Sequence, residues 1–192
     1  MEKIDPRHLL VKVAEILQKL KIPYMVTGGM AVFVWGRPRF TADIDIIVEL
    51  DLATAGNLIP VLRSLSEVSY IDEDAVENAI KNFGEFNFID GESGMKVDFW
   101  VLKDNSFDIS RIKRRIPKKI LGEKIYFISS EDLILSKLEW YQKSQSSRHL
   151  EDIDSIIKIS GKKLDMKYLR KWAEALEIKN ILDKLLRQRE KA

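Results

Sequence analysis

The sequence predicts an α+β protein. Strand and helix patterns alternate as far as residue 128, and helical periodicity alone continues from Ser129. Three observations carry that prediction. Residues 24–48 read as strand, glycine turn, short apolar helix and second strand. Two apolar runs, 86–89 and 95–102, flank Asp90-Gly91-Glu92-Ser93-Gly94, which has hairpin-loop composition. After Ser129 strand patterns stop. The expected division is an α/β domain over residues 1–128 and a helical domain over 129–192, with no internal repeat or low-complexity linker.

Asp5-Pro6 reads as an N-cap followed by proline in the first helical turn. Leu9, Leu10, Val13, Ile16, Leu17 and Leu20 then recur at helical spacing, and His8 is expected on the surface of this helix. Ile22-Pro23 ends it, and Tyr24-Met25-Val26 suits a buried strand. Gly28-Gly29 lets the backbone turn sharply and come close to a ligand. The apolar helix after them would aim free N–H groups and its positive dipole end at an anion such as phosphate.

Asp43 and Asp45 are two apart in a strand pattern, so they leave the same face, with Ile44, Ile46 and Val48 on the other. Two adjoining carboxylates repel unless a hard cation sits between them. Mg²⁺ suits this, taking one or two protein carboxylates and completing its shell with water and phosphate oxygens. The pair and the glycine turn together make half of a nucleotide-handling site.

Asp51 is expected to cap a helix carrying Leu58, Ile59, Val61, Leu62 and Leu65, with Pro60 kinking it or delaying its start. Tyr70-Ile71-Asp72 leads into a helix from Glu73 to Phe83, closed by Gly84. Its acidic start suits the helix dipole rather than a metal. In the run 95–102, Asp98 is a carboxylate among apolar residues, costly if buried without a cation or donors. On the residues alone it either faces solvent on an edge strand or pairs with a lysine.

The densest basic stretch, Arg111 to Lys119, leads into a hairpin, 116–120 and 124–128, with basic exposed positions. Such a run is a solvated face or a track for triphosphate or RNA backbone. Ser129-Ser130-Glu131-Asp132 is a helix-start signature, and Lys137 falls near the buried face of that apolar helix. Residues 142–148 read as a polar loop. Helices follow from Leu150, at 166–176 and at 178–186, with Leu169, Trp172, Ala173 and Leu176 as a core face. The four tryptophans, Trp35, Trp100, Trp140 and Trp172, are read as packing residues.

The chain of 192 residues is 45% hydrophobic and 32% charged, with a net charge of +2. That balance gives no case for bulk nucleic-acid binding, so any such role needs a local patch. No cysteine is present, which excludes disulfides, thiolate zinc and a cysteine nucleophile. The start, Met1 to Pro6, lacks the build of a signal peptide, and no apolar run approaches a bilayer span, so a cytoplasmic location is expected.

Gly28-Gly29, Ala31, Gly36, Arg39, Thr41 and Asp43-Ile44-Asp45 resemble the signature of the nucleotidyltransferase superfamily with the DNA polymerase β-like fold. Among its branches the chain looks most like the AbiEii-type toxin nucleotidyltransferases. The resemblance implies a mixed β-sheet flanked by helices, then a helical bundle. It makes Asp98 the third metal carboxylate beside Asp43 and Asp45, holding two Mg²⁺ ions, with an NTP as substrate. It implies that Thr27, Gly28 and Gly29 grip the β,γ-phosphates, and that Arg39 and Lys137 add positive charge, Lys137 at the phosphate. Thr41 would orient Asp43. Asp152 resembles an acid that relatives carry near the start of a helix, although His149 stands where some have another acid. Pairing of Asp152 with Arg148 or Lys137 is the structural alternative.

The implied reaction moves NMP to a hydroxyl acceptor. AbiEii-like relatives include toxins that transfer nucleotides to tRNA, which implies tRNA as an acceptor and an antitoxin as a partner, and other branches modify small molecules or proteins. A non-catalytic nucleotide- or partner-binding module is the other class. Two adjoining acids at 43 and 45 speak against it, because a binder has no need of them.

Overall fold

A computed structural model describes residues 5–41 and 43–190, and the reading of the N-terminus at Met1–Ile4 lies outside them. The chain divides into two compact units. One takes residues up to Met30 and Phe40–Ile128; the other takes Ala31–Arg39 and the chain from Ser129.

In the first unit, α1 (Pro6–Lys19) starts on Asp5, whose carboxylate accepts the Arg7 N–H, and buries Leu9, Leu10, Val13, Ile16 and Leu17. After it come β1 (Tyr24–Val26), the start of α2 (Gly28–Trp35), β2 (Asp43–Val48) and α3 (Leu52–Arg63). Next are β3 (Tyr70–Ile71), α4 (Glu73–Asn82), β4 (Glu85–Ile89) and β5 (Lys96–Val101). Then α5 (Ser106–Lys113), β6 (Ile116–Ile120) and β7 (Glu123–Phe127) complete the unit.

The seven strands form one mixed sheet in the order β3-β4-β5-β2-β1-β7-β6. Pairs β2/β5 and β1/β7 are parallel and the others antiparallel. One face of the centre is wholly apolar: Ile44, Ile46, Val48, Val97, Phe99, Phe86 and Phe88 are buried, and the Phe86 and Phe99 rings stack 4.9 Å apart. Burial of each such side chain supplies about 1.5–3 kcal/mol. With one face so fixed, a one-residue slip would turn the whole set outward, so the register is strongly specified.

In the second unit, α6 (Ser130–Ser144), α7 (Ser147–Ser160), α8 (Met166–Ala175) and α9 (Lys179–Glu190) join residues 31–35 of α2, with a 3-10 turn at Gly161–Lys163. Ser129 caps α6 by accepting the Asp132 N–H. The Asp132 carboxylate, fully buried, accepts the Ser129 and Tyr168 hydroxyls at 2.6 and 2.7 Å and so ties α6 to α8. Gly36 lies against α7: a Cβ there would stand 2.5 Å from Ser155 Oγ and 3.2 Å from the Ile156 nitrogen.

Several local expectations are corrected. Pro60 does not delay the start of its helix, because α3 runs from Leu52, capped by Asp51, through it to Arg63. The left-handed residue closing α4 is Phe83 (φ 51°), one before Gly84. Helix α5 is too short to show a clear periodicity in the sequence; its signal is Asn105, whose side chain accepts the Asp108 N–H. The loop expected at 142–148 shrinks to Gln145-Ser146, since α6 persists to Ser144 and left-handed Gln145 (φ 55°) turns directly into α7. Trp172 is buried, whereas Trp140 is 43% exposed, with the Lys143 ammonium 5.5 Å over its ring. Leu176 is only half-buried. No helix among the described residues is long and apolar enough to cross a membrane.

Candidate active site

The face of the sheet opposite the apolar one carries the acids. The parallel register sets Asp45 opposite Asp98 and Asp43 opposite Lys96. On the other side of β5, Asn87 stands opposite Asp98 and Glu85 opposite Trp100. Residues paired in register point the same way, so Asp43, Asp45, Glu85, Asn87, Lys96 and Asp98 share one face. Strand β5 is internal, between β4 and β2, which removes the edge-strand reading of Asp98.

Asp98 is 6% exposed. Its Oδ2 meets Lys96 Nζ at 2.9 Å, and its Oδ1 is buried with no hydrogen-bond partner. The lysine pairing and the position beside Asp45 therefore both hold. The hydrogen bond to Asp98 raises the Lys96 ammonium above its ordinary range, and Asp43 and Glu85 add to it. Burial raises Glu85, and the charges of Asp98 and Asp45 push it further. Asp43, Asp45, Glu85 and Asp98 thus surround the Lys96 ammonium with negative charge.

The glycine turn is fitted to these acids. Gly28 has φ +58°, and a Cβ there would lie 1.8 Å from Asp45 Oδ2. A Cβ on Gly29 would lie 2.5 Å from Thr41 Oγ1. Thr41 Oγ1 donates to the Asp43 backbone carbonyl at 3.1 Å, and the Thr27 N–H donates to the Asp45 carbonyl at 2.9 Å. Thr41 thus holds the backbone of Asp43. The bare Cα of each glycine admits a site side chain, a closer approach than any residue with a Cβ would allow.

Among the described residues no three acidic or imidazole side chains are gathered tightly enough to grip a metal ion as they stand. The donor set still fits a hard divalent cation: it is all oxygen, and Asp98 Oδ1 is a buried acceptor with nothing to accept from.

Arg39, Lys137 and Asp152 meet in the second unit. Asp152, 4% exposed, accepts Arg39 Nε on Oδ1 and Nη2 on Oδ2, both at 2.8 Å, and Lys137 Nζ on Oδ2 at 2.7 Å. Lys137 is itself buried and does not snorkel. Burial would raise the Asp152 carboxyl, but the bonds from Arg39 and Lys137 outweigh it and hold it below the ordinary 3.8. His149, on the same helix, has a buried Nδ1 without a partner. Burial lowers its pKa, the Lys137 charge lowers it further and Asp152 opposes.

Reading the sequence missed Lys96, Glu85 and Asn87. Lys96 was within reach, since a residue two before Asp98 in a strand must share its face. Glu85 and Asn87 needed the β4/β5 register. The basic stretch is largely spent locally: Arg111 pairs with Asp108 at 2.5 Å, and Arg115 lies 5.1 Å over the Tyr126 ring and donates to the Ile112 carbonyl. Lys118 and Lys119 stand with Pro117 on edge strand β6, a composition that discourages edge-to-edge pairing.

No protein-family model matches the sequence, and no match was found among curated proteins. Solved structures do match in fold. ANT(2'')-Ia in complex with adenylyl-2''-tobramycin is 15% identical at a TM-score of 0.61, over 90% of this chain and 97% of that one. The lincosamide antibiotic adenylyltransferase LnuA, lincomycin-bound, is 15% identical at 0.55, over 81% and 98%. An antigenic nucleotidyltransferase-like protein from Paracoccidioides brasiliensis is 20% identical at 0.54, over 94% and 91%. The chain therefore has the fold seen in nucleotidyltransferases: a mixed sheet flanked by helices, followed by further helices.

Proposed function

We propose that the chain is a metal-dependent nucleotidyltransferase, moving NMP from an NTP to a hydroxyl acceptor. The observation that carries this reading is Asp98, set opposite Asp45 with a buried oxygen left unpaired, in a fold shared with adenylyltransferases. Asp43, Asp45 and Asp98 would hold two Mg²⁺ ions. Such ions would supply a lowered pKa for the attacking hydroxyl and compensation of charge on the departing pyrophosphate.

The protein's own groups do the rest. The first N–H groups of α2, at Gly28 and Gly29, and the Thr27 hydroxyl receive the β,γ-phosphates. Thr41 fixes the start of β2 through the Asp43 carbonyl, so that both acids of that strand keep their aim. Arg39 and Lys137, both held on Asp152, would add positive charge for the nucleotide only on leaving that carboxylate.

The favoured acceptor class is a small polyhydroxylated molecule, because ANT(2'')-Ia carries adenylyl-2''-tobramycin and LnuA carries lincomycin. The finer alternative is an AbiEii-type toxin that modifies tRNA and is held by an antitoxin; the exposed Lys113 and Lys119 are what favours it. The test is incubation with Mg²⁺ and each α-labelled NTP, offering an aminoglycoside, a lincosamide, total tRNA or no acceptor, beside D43N/D45N. Label on an antibiotic, lost in the variant, supports the first reading, and label on tRNA the second. NTP affinity with no transfer to any acceptor would leave a binding module.

A further inference from the structure

Lys96 is the cation already present on the acidic face. Its Nζ lies 2.9 Å from Asp98 Oδ2, its register partner is Asp43, and its side chain is 38% exposed while that of Asp98 is 9% exposed. The stem is long enough to swing into water, whereas Asp98 is fixed within an internal strand. Asp98 uses one oxygen on the ammonium and leaves the other buried and unpaired.

We propose that Lys96 is a tethered counter-ion that competes with the divalent cation for Asp98, holding the acids together in the metal-free protein and leaving Asp98 when metal enters. This rests on the metal-binding reading above and adds to it a resident competitor. In the metal-free protein the ammonium offsets part of the repulsion among Asp43, Asp45, Asp98 and Glu85. An arriving divalent ion must displace it from Asp98, so metal affinity is lower than the carboxylates alone would give. The released ammonium stays on the same face, where a triphosphate arriving with its metal brings new negative charge. Metal and nucleotide then bind more tightly together than either does alone.

The test is Mn²⁺ binding without nucleotide, followed through the free-ion EPR signal, in wild type, K96M and D43N/D45N. The expected result is K96M binding at least about tenfold tighter than wild type, with D43N/D45N weaker than both. Metal-free K96M should melt lower than wild type and recover on adding Mg²⁺. Equal Mn²⁺ affinity in wild type and K96M, with loss in D43N/D45N, overturns the role of Lys96 and leaves the metal site standing. Equal binding in wild type and D43N/D45N overturns both. Should K96M fail to fold, wild-type protein with reductively ¹³C-methylated lysines serves instead. The Lys96 NMR signal, identified by its loss in K96R, should move on adding Mg²⁺, and an unmoved signal overturns the inference.

Discussion

The Oδ2 of Asp45 lies where a Cβ of residue 28 would be, 1.8 Å from its ideal position. Gly28 and Asp45 are thus a fitted pair: the missing side chain of one is the space of the other. G28A has to accept a left-handed backbone and also push the carboxylate aside. The strain costs about 1–2 kcal/mol, and a carboxylate moved by about 1 Å costs on the order of a hundredfold in rate. Nucleotidyl transfer should fall far more than thermal stability, a contrast read from initial rates beside melting curves.

Asp98 sets function against stability. Its buried Oδ1 has no partner, so D98N removes an incompletely compensated charge. Metal-free stability should change by no more than about 1 kcal/mol, while Mn²⁺ binding and transfer are lost. Chemical denaturation and EPR titration of the same sample would show the split; a severely destabilised D98N would contradict it.

Asp152 behaves in the opposite way. Removing it in D152A strands buried Lys137, and with it Arg39, whose side chain is 27% exposed and can rehydrate in part. A loss of about 3–5 kcal/mol is expected, toward the lower end. K137M should cost less, because Arg39 still neutralises the carboxylate. Denaturant midpoints of the two variants test the order.

Two groups in the second unit contribute to the acid limb of stability. The folded pKa of His149 lies below its ordinary 6.5, so folding resists its protonation, and stability present above that value declines as pH falls toward the folded pKa. Asp152 is also depressed, below 3.8, so its contribution persists to lower pH and is lost only as pH falls through its folded value. H149Q should flatten the decline from pH 7 to 5 without touching the loss below pH 4. Midpoints measured across that range decide it.

Glycines at Gly36 and Gly56 should respond with opposite signs. A Cβ on Gly36 would press on Ser155 and on the Ile156 backbone, whereas one on Gly56, inside α3, meets nothing within 4 Å. G36A should destabilise by about 1–3 kcal/mol, and G56A should stabilise by about 0.5–1 kcal/mol. Paired melting curves check both.

Much of this was legible because the physics is local. Asp43 and Asp45 declare their common face by period two, Asp5, Asp51 and Ser129 announce helix starts, and the Asp90–Gly94 turn marks a hairpin. What the chain concealed depends on pairing between distant segments. Nothing near Asp98 says that its strand lies between β4 and β2, and nothing near Arg39 says that it closes on Asp152. The fit of Gly28 to Asp45 is likewise invisible, since a glycine pair reads equally well as a cradle for a ligand and as room for a neighbour.

The strand order has a consequence for biosynthesis. Asp45 and Asp98 become neighbours only after β5 inserts beside β2, closing a loop of roughly fifty residues against its entropy. A ribosome-bound fragment ending before Lys96 carries Asp43, Asp45 and the glycine turn but not Asp98. On the proposed function, the full set of acids would be assembled only as a late step of folding.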